Sequence, residues 1–82
     1  MYDINPFVQY RNFNSKYYIG KDYKYFELDE ISNDIWNFIV AGHDLDSIVS
    51  NITQEYNVDE DVCRKDIKEF LEELKKNEFI YD

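Results

Sequence analysis

Residues 59–81 read DEDVCRKDIKEFLEELKKNEFIY, and we expect the rest of the chain to pack around them. At about 100° per residue, its apolar side chains fall on one stripe of an α-helix. That stripe consists of Cys63, Ile67, Phe70, Leu71 and Leu74. The acidic residues 59–61 at the start and the lysines near the end complement the helix dipole, and Asn77 can end the helix. The stretch therefore predicts a long amphipathic helix whose apolar tail, residues 79–81, folds back onto the core.

Charge is divided between the two flanks of this apolar stripe. The flank beside Leu71 is basic and carries Arg64, Lys68 and Lys75, whereas the other carries Asp66, Glu69 and Glu73. A basic flank is unusual in a chain with 18 acidic and 9 basic residues. We therefore expect it to face an acidic partner.

Composition sets the outer limits. The chain has 82 residues and a formal net charge of -9, which predicts one domain over residues 1–82 and argues against phosphate-backbone or anionic-membrane binding. A single cysteine excludes an intrachain disulfide and is typical of a reducing compartment. The first ten residues lack the pattern of a signal peptide, and no apolar run approaches the roughly 18 residues of a membrane span. A cytoplasmic protein is expected.

The first 28 residues have a pattern typical of β-strands. Three short runs rich in tyrosine and phenylalanine, residues 7–13, 16–19 and 23–28, are separated by Asn-Ser and Gly-Lys-Asp turn signals. This spacing predicts an antiparallel three-stranded meander. Alternation along the third run places Phe26 and Leu28 on one face, which we expect to pack against the helices.

From Asp29 onward the apolar period becomes helical. Asp29 is expected to cap a first helix that stops at Gly42, and Asp44 is expected to cap a second. Core positions predicted on all three helices are Ile35, Trp36, Ile39, Ile48, Ile52, Phe70 and Leu74. Strands first and helices after predict an α+β fold, a three-stranded antiparallel sheet followed by three helices, winged-helix-like in arrangement.

No catalytic or metal-binding pattern is present in the sequence. The single histidine, His43, falls in a turn, and the single cysteine, Cys63, falls on an apolar stripe. One histidine and one cysteine without close ligand spacing do not predict a zinc site, and two glycines cannot form a phosphate-binding loop. We predict a protein that is not an enzyme and that needs no cofactor.

A binding function is therefore the remaining class, and the predicted sheet and helices are compatible with two kinds of partner. The third strand lies at a sheet edge, where an extended peptide can add as a further strand. The alternative is a winged-helix DNA-binding or transcription-regulatory module, which would require basic residues on the exposed face of the last helix. That face mixes four bases with Asp66, Glu69, Glu72 and Glu73, so no duplex binding is expected.

The ordered set of segments Glu27-Leu28-Asp29, Ile35-Trp36, Ala41-Gly42, Ile48-Val49, Tyr56-Asn57-Val58 and residues 66–74 resembles the PqqD-like family. The resemblance spans roughly residues 7–81. This family includes the small chaperone of pyrroloquinoline quinone biosynthesis and the leader-binding elements of ribosomally made, post-translationally modified peptide pathways. One departure is Asn77 and Glu78, where the family often has glycine.

The resemblance implies that the chain recognises the leader of a precursor peptide and presents it to a modifying enzyme. That enzyme would be a radical S-adenosylmethionine enzyme, a lasso-peptide protease or cyclase, or a lanthionine-forming enzyme. The leader would add to the third strand and pack against the third helix. Because the free strand edge could pair with itself, we expect the chain without leader to be a monomer or a strand-exchanged dimer.

The peptide-binding residues expected from this resemblance fall on the third strand and the last helix. They are Lys24, Tyr25, Phe26, Glu27 and Leu28 on the strand, and Arg64, Ile67, Lys68, Leu71 and Lys75 on the helix. If the basic flank borders the groove, the leader is expected to carry Asp or Glu opposite Arg64 and Lys68.

Overall fold

The computed structural model describes residues 2–82. It contains five strands and three helices: β1 (Asp3–Ile4), β2 (Gln9–Phe13), β3 (Lys16–Lys21), β4 (Lys24–Leu28), α1 (Glu30–Val40), α2 (Leu45–Tyr56), α3 (Glu60–Lys76) and β5 (Ile80–Tyr81). The three-stranded sheet followed by three helices confirms the predicted α+β class. Within residues 2–82, no helix is both long and apolar enough to cross a membrane.

Strands β2, β3 and β4 form the predicted meander, joined by two tight turns. The second turn falls at Asp22 and Tyr23 and not at Gly20-Lys21-Asp22 as predicted, because pairing with β4 extends β3 to Lys21. Each turn has two central residues, Asn14 and Ser15 in the first and Asp22 and Tyr23 in the second, and all four have positive φ. Two consecutive residues of positive φ define the type I′ turn, whose twist matches that of the strands it connects. The second turn fixes the register of β4, so that Lys24 pairs with Lys21 and Leu28 with Tyr17.

Aspartate caps begin all three helices, as the acidic residues at these positions suggest. The side chains of Asp29, Asp44 and Asp59 accept hydrogen bonds from backbone N–H groups three residues later, at 2.8, 2.9 and 3.0 Å. Each bond satisfies one of the N–H groups that a helix start leaves without a partner. The caps fix where each helix begins relative to the strand or loop before it.

The end of α3 turns the chain back onto the core. Glu78 lies in the left-handed region with φ 61°, its N–H donates to the Lys75 carbonyl at 3.0 Å, and the Phe79 N–H donates to the Leu74 carbonyl at 2.8 Å. This pair of bonds is a Schellman motif, which usually places glycine where Glu78 stands. The reversal buries Phe79 completely, as predicted for the apolar tail.

A second, two-stranded sheet was not predicted from the sequence. In it β1 pairs with β5, Asp3 opposite Tyr81 and Ile4 opposite Ile80. Buried Asn5 holds the same region, because its side-chain amide donates to the Glu78 carbonyl at 2.9 Å and to the Tyr81 hydroxyl at 3.1 Å. The N-terminal segment is thereby tied to the end of α3.

The core lies between the inner face of the meander and the three helices. The predicted core residues Ile35, Trp36, Ile39, Ile48, Ile52 and Leu74 are all buried. Phe70 differs from the expectation, since it is only partly buried at the margin of the core. Phe26 and Leu28 reach inward from β4, where the Phe26 ring meets that of Phe79 edge to face at 5.2 Å.

Candidate functional site

The outer edge of β4 presents backbone groups for pairing. Within residues 2–82, β4 pairs with β3 on one side and with no strand on the other. The tight turn hydrogen-bonds Lys24 to Lys21, and bonded and non-bonded pairs alternate along an antiparallel ladder. The Lys24, Phe26 and Leu28 backbone groups therefore point to β3. Those of Tyr25 and Glu27 point outward.

One flank of α3 runs along this edge in the opposite direction. At the start of β4, Lys24 Nζ donates to Asn77 Oδ1 at the end of α3, at 3.5 Å. At the other end, Asp29 directly after β4 borders the same cavity as Val62 and Asp66 near the start of α3. From this hydrogen bond and this shared cavity we infer that the β4 edge and this flank of the helix border one groove.

The groove opens at one end into a cavity of about 280 Å³ between α1, α2 and α3. Three of its side chains are exposed although apolar: Ile31, Val58 and Val62 have 38%, 40% and 57% of their surface accessible. Phe70 lies in the same wall, which explains why it is not fully buried. The remaining lining residues are Asp29, Ser32, Ile35, Ile52, Cys63, Asp66 and Ile67. Exposed apolar side chains gathered around a concavity are typical of binding sites.

The charged side chains that line this cavity are both acidic. Asp29 and Asp66 line it, and no lysine, arginine or histidine does. Among residues that do not line the cavity, the Tyr56 hydroxyl donates to Asp34 Oδ2 at 2.5 Å. The Glu55 pKa is raised by desolvation and then by its hydrogen bond to Asp34. The lining itself carries two carboxylates and no base.

The basic residues predicted to border the groove lie on the other flank of α3. Arg64 forms an ion pair with Asp46 of α2 at 2.7 Å, and this hydrogen bond raises its pKa. Lys75 pairs with Asp82 at 2.7 Å, which likewise raises the Lys75 pKa. Lys68 and Lys75 border a second cavity with Tyr2, whose pKa is raised by burial. The basic flank thus packs beside α2 and beside Tyr2 and Asp82, which lie next to the β1–β5 pair.

The five strand residues and the five helix residues predicted for the site are therefore not brought together as one surface. Lys24, Tyr25, Phe26, Glu27 and Leu28 form β4 and its edge, as expected. Ile67 and Leu71 lie beneath the helix at 2% exposure each, and Arg64, Lys68 and Lys75 lie away from the β4 edge. The physical reason is that a helical stripe has two flanks, and α2 with its acidic Asp46 packs beside the basic one.

The groove residues that sequence analysis did not identify are Val58, Val62, Asp66, Phe70 and Asn77. Val62 could have been identified from the sequence, because it is apolar but falls well outside the apolar stripe of its helix. An apolar side chain at such a position gains nothing from the core. It is therefore a candidate for contact with a partner.

The single histidine and the single cysteine are the residues that could act as a catalytic base, a nucleophile or a metal ligand. His43 Nδ1 lies 2.6 Å from Ser47 Oγ in the turn before α2, and Cys63 is buried at 6% exposure. Across residues 2–82, no cluster of three or more His, Cys, Asp or Glu side chains could hold a metal ion.

Comparisons with known proteins give two matches. The family model described as coenzyme PQQ synthesis protein D (PqqD) matches residues 18–80. Among solved structures, the chain is similar to one described as "TbiB1 in Complex with the TbiA(beta) Leader Peptide". The two chains are 26% identical with a TM-score of 0.84, and the match covers 95% of this chain and 93% of the other. A comparison with curated proteins finds no significant match.

Proposed function

The chain belongs to the PqqD family, and we propose from this membership that it binds the leader segment of a ribosomally made precursor peptide. The observation that carries the proposal is the unpaired edge of β4 beside an open apolar cavity. The similarity to TbiB1, whose structure contains a leader peptide, supports it. The protein would act without catalysis, by holding the precursor.

Binding would proceed by addition of the leader as a fourth strand next to β4. The outward N–H and C=O groups of Tyr25 and Glu27 offer up to four backbone hydrogen bonds, which do not depend on the leader's sequence. Antiparallel addition is favoured, because the existing meander is antiparallel throughout and antiparallel pairs are slightly more stable. These bonds would supply affinity and fix the direction of the peptide.

Selectivity would come from side chains that the leader places in the groove. Alternate residues of an added strand point toward α3, where the cavity bordered by Val62 and Phe70 could take an apolar side chain. Ile67 would form the floor of this site from beneath the helix. In this proposal Arg64, Lys68 and Lys75 do not contact the leader, because they lie on the other flank of α3.

A protein of this kind requires a second partner, the enzyme that modifies the bound precursor. We propose a radical S-adenosylmethionine enzyme or a lasso-peptide protease or cyclase, acting in the cytoplasm where the precursor is made. The peptide would occupy the β4 edge. The outer sheet face, with exposed Phe13 and Tyr25, would stay accessible to that enzyme.

The test is an NMR titration of the ¹⁵N-labelled chain. Synthetic leaders of the short precursor genes adjacent to this chain's gene would be added one at a time. We expect one leader to bind one-to-one and to shift the amides of Tyr25 and Glu27 most strongly, with smaller shifts at Val62 and Phe70. Shifts confined to the opposite flank, around Lys68, would contradict the proposed groove. Absence of any shift would contradict the function.

The DNA-binding alternative has a direct test of its own. The exposed side of α3 interleaves Lys65, Lys68 and Lys76 with a larger number of carboxylates, those of Asp61, Asp66, Glu69, Glu72 and Glu73. It therefore lacks the continuous basic surface that a duplex phosphate backbone requires. We expect no change in the anisotropy of a labelled duplex at about 50 mM salt, where electrostatic binding is strongest.

A further inference from the structure

We propose that the groove selects peptides in which lysine or arginine lies next to an apolar anchor residue. This inference rests on the proposed function and specifies its substrate class. The apolar anchor follows from the cavity lining, which includes three exposed aliphatic side chains. The cation follows from the two carboxylates, Asp29 and Asp66, at the same cavity.

The two carboxylates are available to a ligand. Asp29 uses Oδ1 to cap α1, where it accepts from the Ser32 N–H at 2.8 Å, and this leaves its second oxygen for another donor. Asp66 is exposed and makes no ion pair with any residue among 2–82. Neither charge is neutralised by a base of the chain itself.

The competing expectation is an anionic side chain drawn to the helix N-termini near the cavity. The starts of α1 and α3 both lie close to it and carry partial positive charge. However, the carboxylates of Asp29 and Asp59 already cap these two ends. A further anion would meet them, together with Asp66, and would be repelled.

The groove is therefore expected to prefer a positively charged leader residue, whereas the basic flank of α3 predicted a negatively charged one. That flank does not border the groove, and two of its three bases are paired with Asp46 and Asp82. The flank that does border the groove carries Asp66 and Glu73, and Lys24 lies at the far end of the groove, beside Asn77 and away from the cavity. A cationic leader residue near Asp29 and Asp66 would meet two carboxylates at once.

The experiment begins with a random 12-residue peptide library displayed on yeast. The library is sorted with the labelled chain at about 50 mM salt, and bound peptides are sequenced. We expect enrichment of an aliphatic or aromatic residue with Lys or Arg within two positions of it. Enrichment of Asp or Glu, or of apolar residues with no basic neighbour, would overturn the proposal.

A matched pair of variants separates local recognition from general attraction to a chain of charge -9. Asp66→Lys changes the cavity, and Asp61→Lys makes the same charge change on an exposed position of α3 that does not line the cavity. We expect Asp66→Lys to weaken binding of the selected peptides about 3- to 30-fold at low salt, because the charge reversal removes one partly exposed ion pair and adds a repulsion of similar size. Asp61→Lys should weaken it less than about 3-fold. Equal losses in the two variants would show that the charge effect is non-specific and overturn the proposal.

Failure of this inference can be told apart from failure of the proposed function. Selected peptides that shift the Tyr25 and Glu27 amides but lack basic residues would overturn the cation preference and leave strand addition standing. If the library yields no peptide that shifts these amides, both proposals fail. Raising the salt to about 500 mM should reduce the difference between Asp66→Lys and the parent, because exposed charges are then screened.

Discussion

A proline at Glu27 tests strand addition more directly than any side-chain change. The Glu27 N–H points away from β3, so its removal breaks no bond of the meander. Proline is tolerated on edge strands in this orientation, and its fixed φ of about -65° lies within reach of an extended chain. We therefore expect Glu27→Pro to fold, with a loss of stability of about 1 kcal/mol or less.

The expected loss of binding follows from one missing donor. The leader's carbonyl would lose its hydrogen bond and become buried against the proline ring, which costs about 1–3 kcal/mol. This free energy corresponds to roughly a 5- to 150-fold weaker Kd. Glu27→Gln keeps the N–H and removes only the charge, so it should bind within about 3-fold of the parent.

Phe26→Pro is the matched control for the backbone argument. The Phe26 N–H points to β3 opposite Ile19, and its ring contacts Phe79. The same substitution one residue earlier should therefore unfold the sheet, at a cost of about 3 kcal/mol or more. Urea denaturation followed by circular dichroism measures stability, and fluorescence anisotropy of a labelled leader measures Kd. A folded Glu27→Pro that binds as tightly as the parent would refute strand addition at β4.

Three further predictions concern stability. Asn5→Ala leaves the Glu78 carbonyl without its side-chain donor and should lower the free energy of unfolding by about 1–3 kcal/mol, seen as a lower urea midpoint with an unchanged m-value. Glu78→Gly relieves a left-handed residue and should raise that free energy by about 1 kcal/mol, whereas Lys65→Gly inside α3 should lower it by a similar amount. Equal effects of the two substitutions would contradict the strain argument. The hydrogen bond to Asp34, followed by desolvation, raises the Tyr56 pKa above its ordinary value of 10.0, so the resulting stability is present below pH 10 and is lost as pH rises further. Asp34→Asn should therefore lose less stability than the parent between pH 9 and pH 11, and a parallel loss in both proteins would contradict this assignment.

Much of the fold could be predicted because the local signals agree with one another. The first turn falls at Asn14 and Ser15, where the sequence predicts it. Asp29 lies where the apolar period changes from two to 3.6, and Asp44 lies where a new helical stripe begins. The β1–β5 pair escaped prediction because its strands have two residues each, too few to show a period. Asn5 gave no signal either, since its partners lie more than seventy positions away.

The site could be predicted only in part, and the limit is geometric. The position of β4 at the sheet edge follows from the order of the strands, and the apolar stripe of α3 follows from its period. The period does not reveal which flank turns toward the edge, because both flanks lie at similar angles from the stripe. The bases Arg64 and Lys68 are unusual in an acidic chain, and this favoured the basic flank as the groove wall. Packing of that flank against α2 instead turns Asp66 and Phe70 to the groove.

The pairing of β1 with β5 brings the two ends of the described chain side by side, with Asp3 opposite Tyr81. A linker of a few residues could join them at a small entropic cost, because the distance to close is short. New ends could then be opened at the exposed turn of Asn14 and Ser15, away from the β4 edge. Such a circular permutant would keep every strand pair, cap and groove contact described above. The peptide groove therefore requires that β4 and α3 be adjacent in space, and it does not require their present order along the sequence.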